Sequence, residues 1–291
     1  MNNKVAIVTD TTVSIPKELT QEYEIQVVPL LLHLDDETYR DTIDIKTTDE
    51  MFQLVNKSSR FPTTSAPTPG EYAEVYRQLG QKVNNILAIT ISSNLSMTFN
   101  SATQAKEMVK GELPDVNIQV FDSKTTVGAM GLIVLATARA AASGQDMAAV
   151  VNVAEDTRTK TNYLFVMDTL SYLARSGRIS KAAAMAGNML SMKPITEIST
   201  STGRPAVVVR PRTKKKALEV LLELVGQRVK GDGPLHAIID HTGLAEDAEK
   251  LREILMNRFN CAEVLLCRYN PISSLIVGPG GVGLSFYQDS P

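Results

Sequence analysis

Apolar and polar positions follow one another in short blocks along the chain, and the blocks switch between a strand-like and a helix-like rhythm. Val5 to Val8 is a short apolar run closed by Thr9-Asp10-Thr11-Thr12, the pattern of a strand entering a turn. Gln26 to Leu32, Ile86 to Ile89 and Ile118 to Phe121 read the same way. Helix starts lie between them. Thr47-Thr48-Asp49-Glu50 and Thr68-Pro69-Gly70-Glu71 each set a hydroxyl three residues before a glutamate, so that side chain and backbone cap each other. Pro69 suits a first helical position. Met97 to Val109 reads as a helix, and Ala-rich Val127 to Ala142 as a buried one. Asp146 is a natural N-cap for the next, through about Glu155.

The pattern changes after Lys160. Tyr163 to Met167 predicts a strand and Leu170 to Ala174 a short helix. Ser180 predicts the cap of an Ala-rich helix to Leu190. Ile195 to Ile198 and Ala206 to Arg210 flank Ser201-Thr202-Gly203-Arg204, a hairpin-like turn. Lys214 to Val229 predicts a long helix. His236 to Asp240, Ala245 to Arg258 and Ala262 to Cys267 form a strand–helix–strand unit, and Leu284 to Tyr287 a last strand. Alternating strands and helices predict an α/β fold. At roughly 150 residues per domain, 291 residues predict two domains, 1–160 and 161–291.

Composition narrows the function. With 30 Lys+Arg against 32 Asp+Glu the net charge is -2, which argues against nucleic acid. No Trp and 5% aromatic residues weaken base stacking as well. No run approaches the ~18 apolar residues of a membrane span. Met1 to Ala6 lacks the long apolar stretch of a secretory signal, so a cytoplasmic protein is expected. Cys261 and Cys267 share a strand-like segment, on one face and ~20 Å apart if it is extended. That is too far for a disulfide, and reduced buried thiols are expected.

Familiar catalytic patterns are missing. His33, His236 and His241 have no metal-ligand spacing. No Gly-x4-Gly-Lys-Ser/Thr or Gly-x-Ser-x-Gly occurs. Gly278-Pro279-Gly280-Gly281-Val282-Gly283 leads toward a strand and reads as a tight turn or a close backbone approach. Asp10 and Asp122 each end a strand, where α/β sheets place ligands, although capping the following turn is the simpler role. Two hydroxyl clusters stand out: Thr63-Thr64-Ser65, and Ser92, Ser93 and Ser96. Both precede helix starts, where hydroxyls and free backbone N–H groups can hold an anion or simply cap the chain. Arg175 to Arg178 and Arg210 to Lys216 are basic stretches that fit a solvated face or an acidic partner.

Taken in order, these segments resemble the DegV family of bacterial proteins, which includes the fatty-acid-binding FakB type. The matching stretches are Val8-Thr9-Asp10-Thr11-Thr12, Thr64-Ser65-Ala66-Pro67, and Ser92-Ser93-Asn94-Leu95-Ser96 running to Ala102. Asp122-Ser123, Leu170-Ser171-Tyr172-Leu173, Gly177-Arg178-Ile179-Ser180, Lys193-Pro194-Ile195 and Gly278-Pro279-Gly280 follow. The resemblance implies a two-domain α/β fold, a mostly parallel N-terminal sheet flanked by helices plus a smaller C-terminal α/β domain. It implies one long-chain fatty acid held without covalent attachment between the domains, no catalysis by this chain, and no cofactor. Thr64 and Ser93 would donate to the carboxylate, supported by Ser65, Ser92 and Ser96. Arg178 and Arg212 would lie near a surface facing a separate fatty acid kinase, which phosphorylates the carboxylate for phospholipid synthesis.

The chain departs from the family pattern in three places. Ile276-Val277 precede Gly278 where His-Thr is common, removing two polar groups near the carboxylate. Met97 stands where glycine is usual, and would crowd the ligand or shorten its tunnel. Ser176 replaces the first of two glycines before Arg178. Two other classes therefore stay open. One is an enzyme on a small acyl or phosphorylated substrate using Asp10, Asp122 or His241. The other is a regulatory protein whose pocket Met97 and Ile276 fill.

Overall fold

The computed structural model describes residues 2–179 and 192–289, so the helix expected from Ser180 to Leu190 lies outside the described residues. The chain runs β1 (Asn2–Asp10), α1 (Lys17–Glu22), β2 (Gln26–Val28), β3 (Leu31–Leu34), β4 (Glu37–Arg40), α2 (Thr48–Lys57), β5 (Thr63–Ser65) and α3 (Pro69–Gly80). It continues through β6 (Val83–Thr90), α4 (Thr98–Val109), β7 (Asn117–Asp122), α5 (Val127–Ala142) and α6 (Met147–Lys160). Then follow β8 (Asn162–Val166), α7 (Ser171–Arg175), β9 (Ile195–Ser199), β10 (Arg204–Val209), α8 (Lys214–Arg228), β11 (Leu235–His241), α9 (Ala245–Arg258), β12 (Cys261–Arg268), α10 (Pro271–Val277) and β13 (Val282–Gln288).

The first sheet is wholly parallel, in the order β2-β1-β6-β7. A six-stranded mixed sheet, β10-β9-β8-β13-β11-β12, is built by the later residues. Its one parallel pair is β11 and β12, joined by α9 in the expected strand–helix–strand unit. A small antiparallel sheet, β4-β3-β5, comes from the segment between β2 and α3. Both expected capping boxes form, at Thr47 and Thr68. The run from Gln26 to Leu32 is split into β2 and β3 around Pro29, which cannot donate to a ladder.

Helix α5 ties the layers together. Met130, Ile133 and Val134 pack with Ile7, Leu87 and Ile89 of the parallel sheet. Leu132 and Leu135 pack with Ile238 and Cys267 of the mixed sheet. A helix flanked by sheets on two sides must be apolar all round, which explains its run of Ala, Leu, Ile and Val. Gly131 allows the approach: a Cβ there would sit 2.3 Å from the Ser14 carbonyl oxygen.

The cysteines differ from expectation. Leu235 pairs with Cys261 but His236 with Glu263, so Ala262 bulges out of register. One extra residue inverts the alternation of side chains. Cys261 therefore packs among Ala217 and Leu255, while Cys267 lies on the opposite face with Leu132 and Leu135. Both thiols are free, and only Cys267 is buried.

Candidate functional site

The site forms just beyond the carboxyl ends of the parallel strands, the usual ligand position in such sheets. Two aspartates shape its loops. Asp10, fully buried at the end of β1, accepts from the Thr12 N–H at 3.0 Å and the Ile91 N–H at 2.8 Å. Burial raises its pKa, and these hydrogen bonds act against that rise. Asp122, at the end of β7, accepts from the Ser93 N–H, the Ser93 hydroxyl and the Lys124 N–H at 3.1, 2.6 and 2.9 Å. Both carboxylates are thus committed to turns, and neither lines the cavity between the loops.

That cavity encloses about 690 Å³ of empty space, counted to its open mouth. From the first half of the chain, Leu30, Ile91, Leu95 and Val127 contribute apolar wall. Tyr163, Phe165, Leu173 and Ile198 come from the second half, and Ile272, Ile276 and Val277 from α10. The Tyr163 hydroxyl is not left bare, because it pairs with the Tyr269 hydroxyl at 3.0 Å.

Helix α10 is moored to the first half by polar bonds. The Ile272 N–H donates to Asp41 Oδ1 at 3.2 Å, and Asn270 Nδ2 to the Val13 carbonyl at 2.8 Å. The Thr48 hydroxyl donates to the Tyr269 carbonyl at 2.7 Å. Burial pushes the Asp41 carboxyl up to about 7. At the start of α5, Val127 adopts φ 43°, a left-handed conformation rare for a β-branched residue, and bridges to Val13. The next N–H, of Gly128, donates at 3.2 Å to Asp240, whose carboxyl is likewise pushed up to about 7 by burial.

Polar groups gather at one end. Arg178 Nη2 donates to the Thr64 hydroxyl at 3.0 Å, and both residues line the cavity. Burial pulls the Arg178 pKa down from its high starting value, its other Nη donates to the Ser176 carbonyl, and no carboxylate pairs with it among the described residues. The Ser65 hydroxyl contacts His33 Nε2 at 2.8 Å, while His33 Nδ1 meets the Thr38 hydroxyl at 3.0 Å. Ser96 shares a 2.8 Å hydrogen bond with Thr98. An apolar cavity ending in an arginine and hydroxyls can hold an amphiphile with an anionic head, because a desolvated anion must be hydrogen-bonded or paired. Among the described residues no His, Cys, Asp and Glu group could hold a metal ion.

The chain matches the model of a family described as "Uncharacterised protein, DegV family" over residues 4–289. The chain belongs to the DegV family. The protein DegV of Bacillus subtilis is 30% identical over 284 residues, covering 96% of this chain and 98% of that one. Among solved structures, a Thermus thermophilus DegV family protein described for its fatty acid binding has TM-score 0.89 and 32% identity, covering 98% of this chain and 100% of its own. DegV of Bacillus subtilis, described as a fatty acid binding protein, has TM-score 0.87 and 28% identity, covering 98% and 99%. The α/β fold of this chain is therefore the DegV fold.

Within that DegV fold the structure sorts the expected residues. It brings Thr64, Ser65, Ser96, Ile276, Val277 and Arg178 to one cavity. Ser92 and Ser93 are not there. Ser93 is exposed with its hydroxyl on Asp122, so it does not donate into the cavity. Ser92 is buried, but its hydroxyl donates to the Gly203 carbonyl at 2.9 Å. Arg178, expected near a partner surface, is half-buried and donates to Thr64 in the cavity wall. Arg212 is exposed immediately before α8, outside the cavity lining. Met97 is 61% exposed at the start of α4 and crowds nothing in the cavity. Ile276 does form wall without filling the space.

Gly278 caps α10 at φ 83°, and a Cβ there would meet the Tyr172 ring at 2.7 Å. The glycine segment is thus a turn with a close approach. His241 ends β11, where burial lowers its pKa, and it does not line the cavity. Sequence reasoning missed His33 as the support of Ser65, Thr12 and Thr126 in the wall, and α10 as a structural element.

Proposed function

We propose that this chain binds one long-chain fatty acid without covalent attachment, with its carboxylate at the Arg178–Thr64 end and its tail in the apolar cavity. The observation that carries this reading is the Arg178 guanidinium donating to Thr64, with Ser65 and Ser96 also in the lining, at the wall of a mainly apolar cavity. The energetics are favourable. A sixteen-carbon tail gains up to about 11 kcal/mol on burial, at ~0.8 kcal/mol per methylene. Association and ordering offset several kcal/mol of that. Solved DegV proteins described as fatty acid binding, at 32% and 28% identity, support the ligand class.

The two halves on either side of residue 160 act as domains that enclose the ligand. Arg178 and Thr64, with Ser65 and Ser96 beside them, replace the polar groups that Ile276-Val277 lack. The chain holds and presents the acid, and a separate kinase supplies the phosphoryl-transfer chemistry. Arg212 lies on the exposed face available to that partner. Calorimetric titration of delipidated protein with palmitate tests the binding. A one-to-one isotherm supports it, and no heat above dilution across the soluble range of the acid contradicts it.

A further inference from the structure

A solvent-open groove adjoins the cavity at Arg178. It is lined by Asn94, Ser176, Gly177, Ile179 and Arg204, and the two spaces share Leu95, Arg178 and Pro205 as wall. The groove's character is opposite, because among the described residues its lining holds two arginines and no Asp or Glu. Arg204 Nη2 donates to Asn94 Oδ1 at 3.2 Å, and Asn94 Nδ2 in turn donates to the Thr202 carbonyl at 2.9 Å. Arg204 is thus steered by a neutral amide. Neither it nor Arg178 has a carboxylate partner among the described residues.

A fatty acid carboxylate carries one charge and matches Arg178 alone. It leaves Arg204 without an anionic partner and the groove unfilled. A phosphate monoester carries about -1.5 to -2 at neutral pH and offers three acceptor oxygens. Two guanidinium forks are the natural complement of such a group. We propose that the site takes a single-chain phospholipid of the lysophosphatidate class, its acyl chain in the cavity and its phosphate between Arg178 and Arg204. The glycerol unit occupies the groove between them. This rests on the reading that the cavity holds an acyl chain, and adds a headgroup subsite to it.

The test is calorimetric titration of delipidated protein and its Arg204→Gln variant with oleate, 1-oleoyl-lysophosphatidate and inorganic phosphate. Arg204 is exposed, so the variant keeps its fold, which circular dichroism verifies. Loss of a charged hydrogen bond predicts that Arg204→Gln weakens lysophosphatidate about tenfold and leaves oleate within about twofold. Lysophosphatidate affinity unchanged by Arg204→Gln overturns the proposal, as does oleate binding without lysophosphatidate binding. Inorganic phosphate bound in an Arg204-dependent way, with no binding of lysophosphatidate, makes the groove a free-anion site and also overturns it. Failure of both lipids is a different result, because it removes the acyl-chain reading itself.

Discussion

The Ser92 hydroxyl donates to the Gly203 carbonyl at 2.9 Å, joining the loop after β6 to the β9–β10 turn across 111 positions of chain. Asn94 and Arg204 add two more bonds at the same place. The pair is tightly fitted: Gly203 has φ 64°, and a Cβ on it would lie 2.3 Å from the Ser92 hydroxyl. Gly203→Ala therefore suffers both backbone strain and a clash. It is expected to lose about 1–3 kcal/mol of stability, and Ser92→Ala about 1 kcal/mol. Thermal unfolding checks the order, with the glycine variant melting lower than the serine variant.

Ser93 and Arg178 make a sharper contrast. Both fall in motif segments, but Ser93 is tied to Asp122 and Arg178 to Thr64 in the cavity. Arg178→Ala is expected to weaken long-chain acid binding by about tenfold or more, the worth of a charge-assisted hydrogen bond. Ser93→Ala is expected to change it by less than about twofold. Displacement of a fluorescent fatty acid measures both.

The wall at Ile276 tests where the tail lies. A larger side chain in a packed cavity excludes ligand volume. Ile276→Trp is expected to lose C16 binding while retaining its circular dichroism, and Ile276→Ala to shift preference toward longer or bulkier chains. A chain-length series in the same displacement assay reads both outcomes.

Asp240 gives a pH signature. Its carboxyl is fully buried, Oδ2 accepts from the Gly128 N–H, and burial pushes its pKa up to about 7. Ser14 and Ser285 hydroxyls, Gly128 and Cys267 surround it, with no cation among them. The folded form holds the proton more tightly than the unfolded form, so this stabilisation is complete below pH ~4 and is lost as pH rises toward 7. Asp41 contributes in the same direction. Asp240→Asn, which cannot ionise, is expected to raise the Tm by a few degrees at pH 8 and by less at pH 5. Paired melting curves at the two pH values check the difference.

Local chemistry was legible in the sequence and long-range placement was not. The capping boxes at Thr47 and Thr68, and the Val127 to Ala142 helix, follow from residues within one or two turns. Helix α10 was hidden because Pro271 to Val277 is a short apolar run, which periodicity cannot assign to helix or strand. The bulge at Ala262 has no local marker, and it inverted the expected geometry of the cysteines. The hydroxyl cluster after β6 pointed to the right region. Which hydroxyls face the cavity depends on Asp122 and Gly203, distant partners that take Ser93 and Ser92 away from it. The place of Arg178 in the cavity wall depends likewise on Thr64, 114 positions away.

The most direct measurement is native mass spectrometry of the purified protein, followed by denaturing extraction and lipid analysis. The account predicts a single mass increment equal to one C14 to C18 fatty acid, or one such acid taken up after incubation, and its loss in Arg178→Ala. A mass that stays that of the bare chain after incubation with a panel of C14 to C18 acids would contradict it.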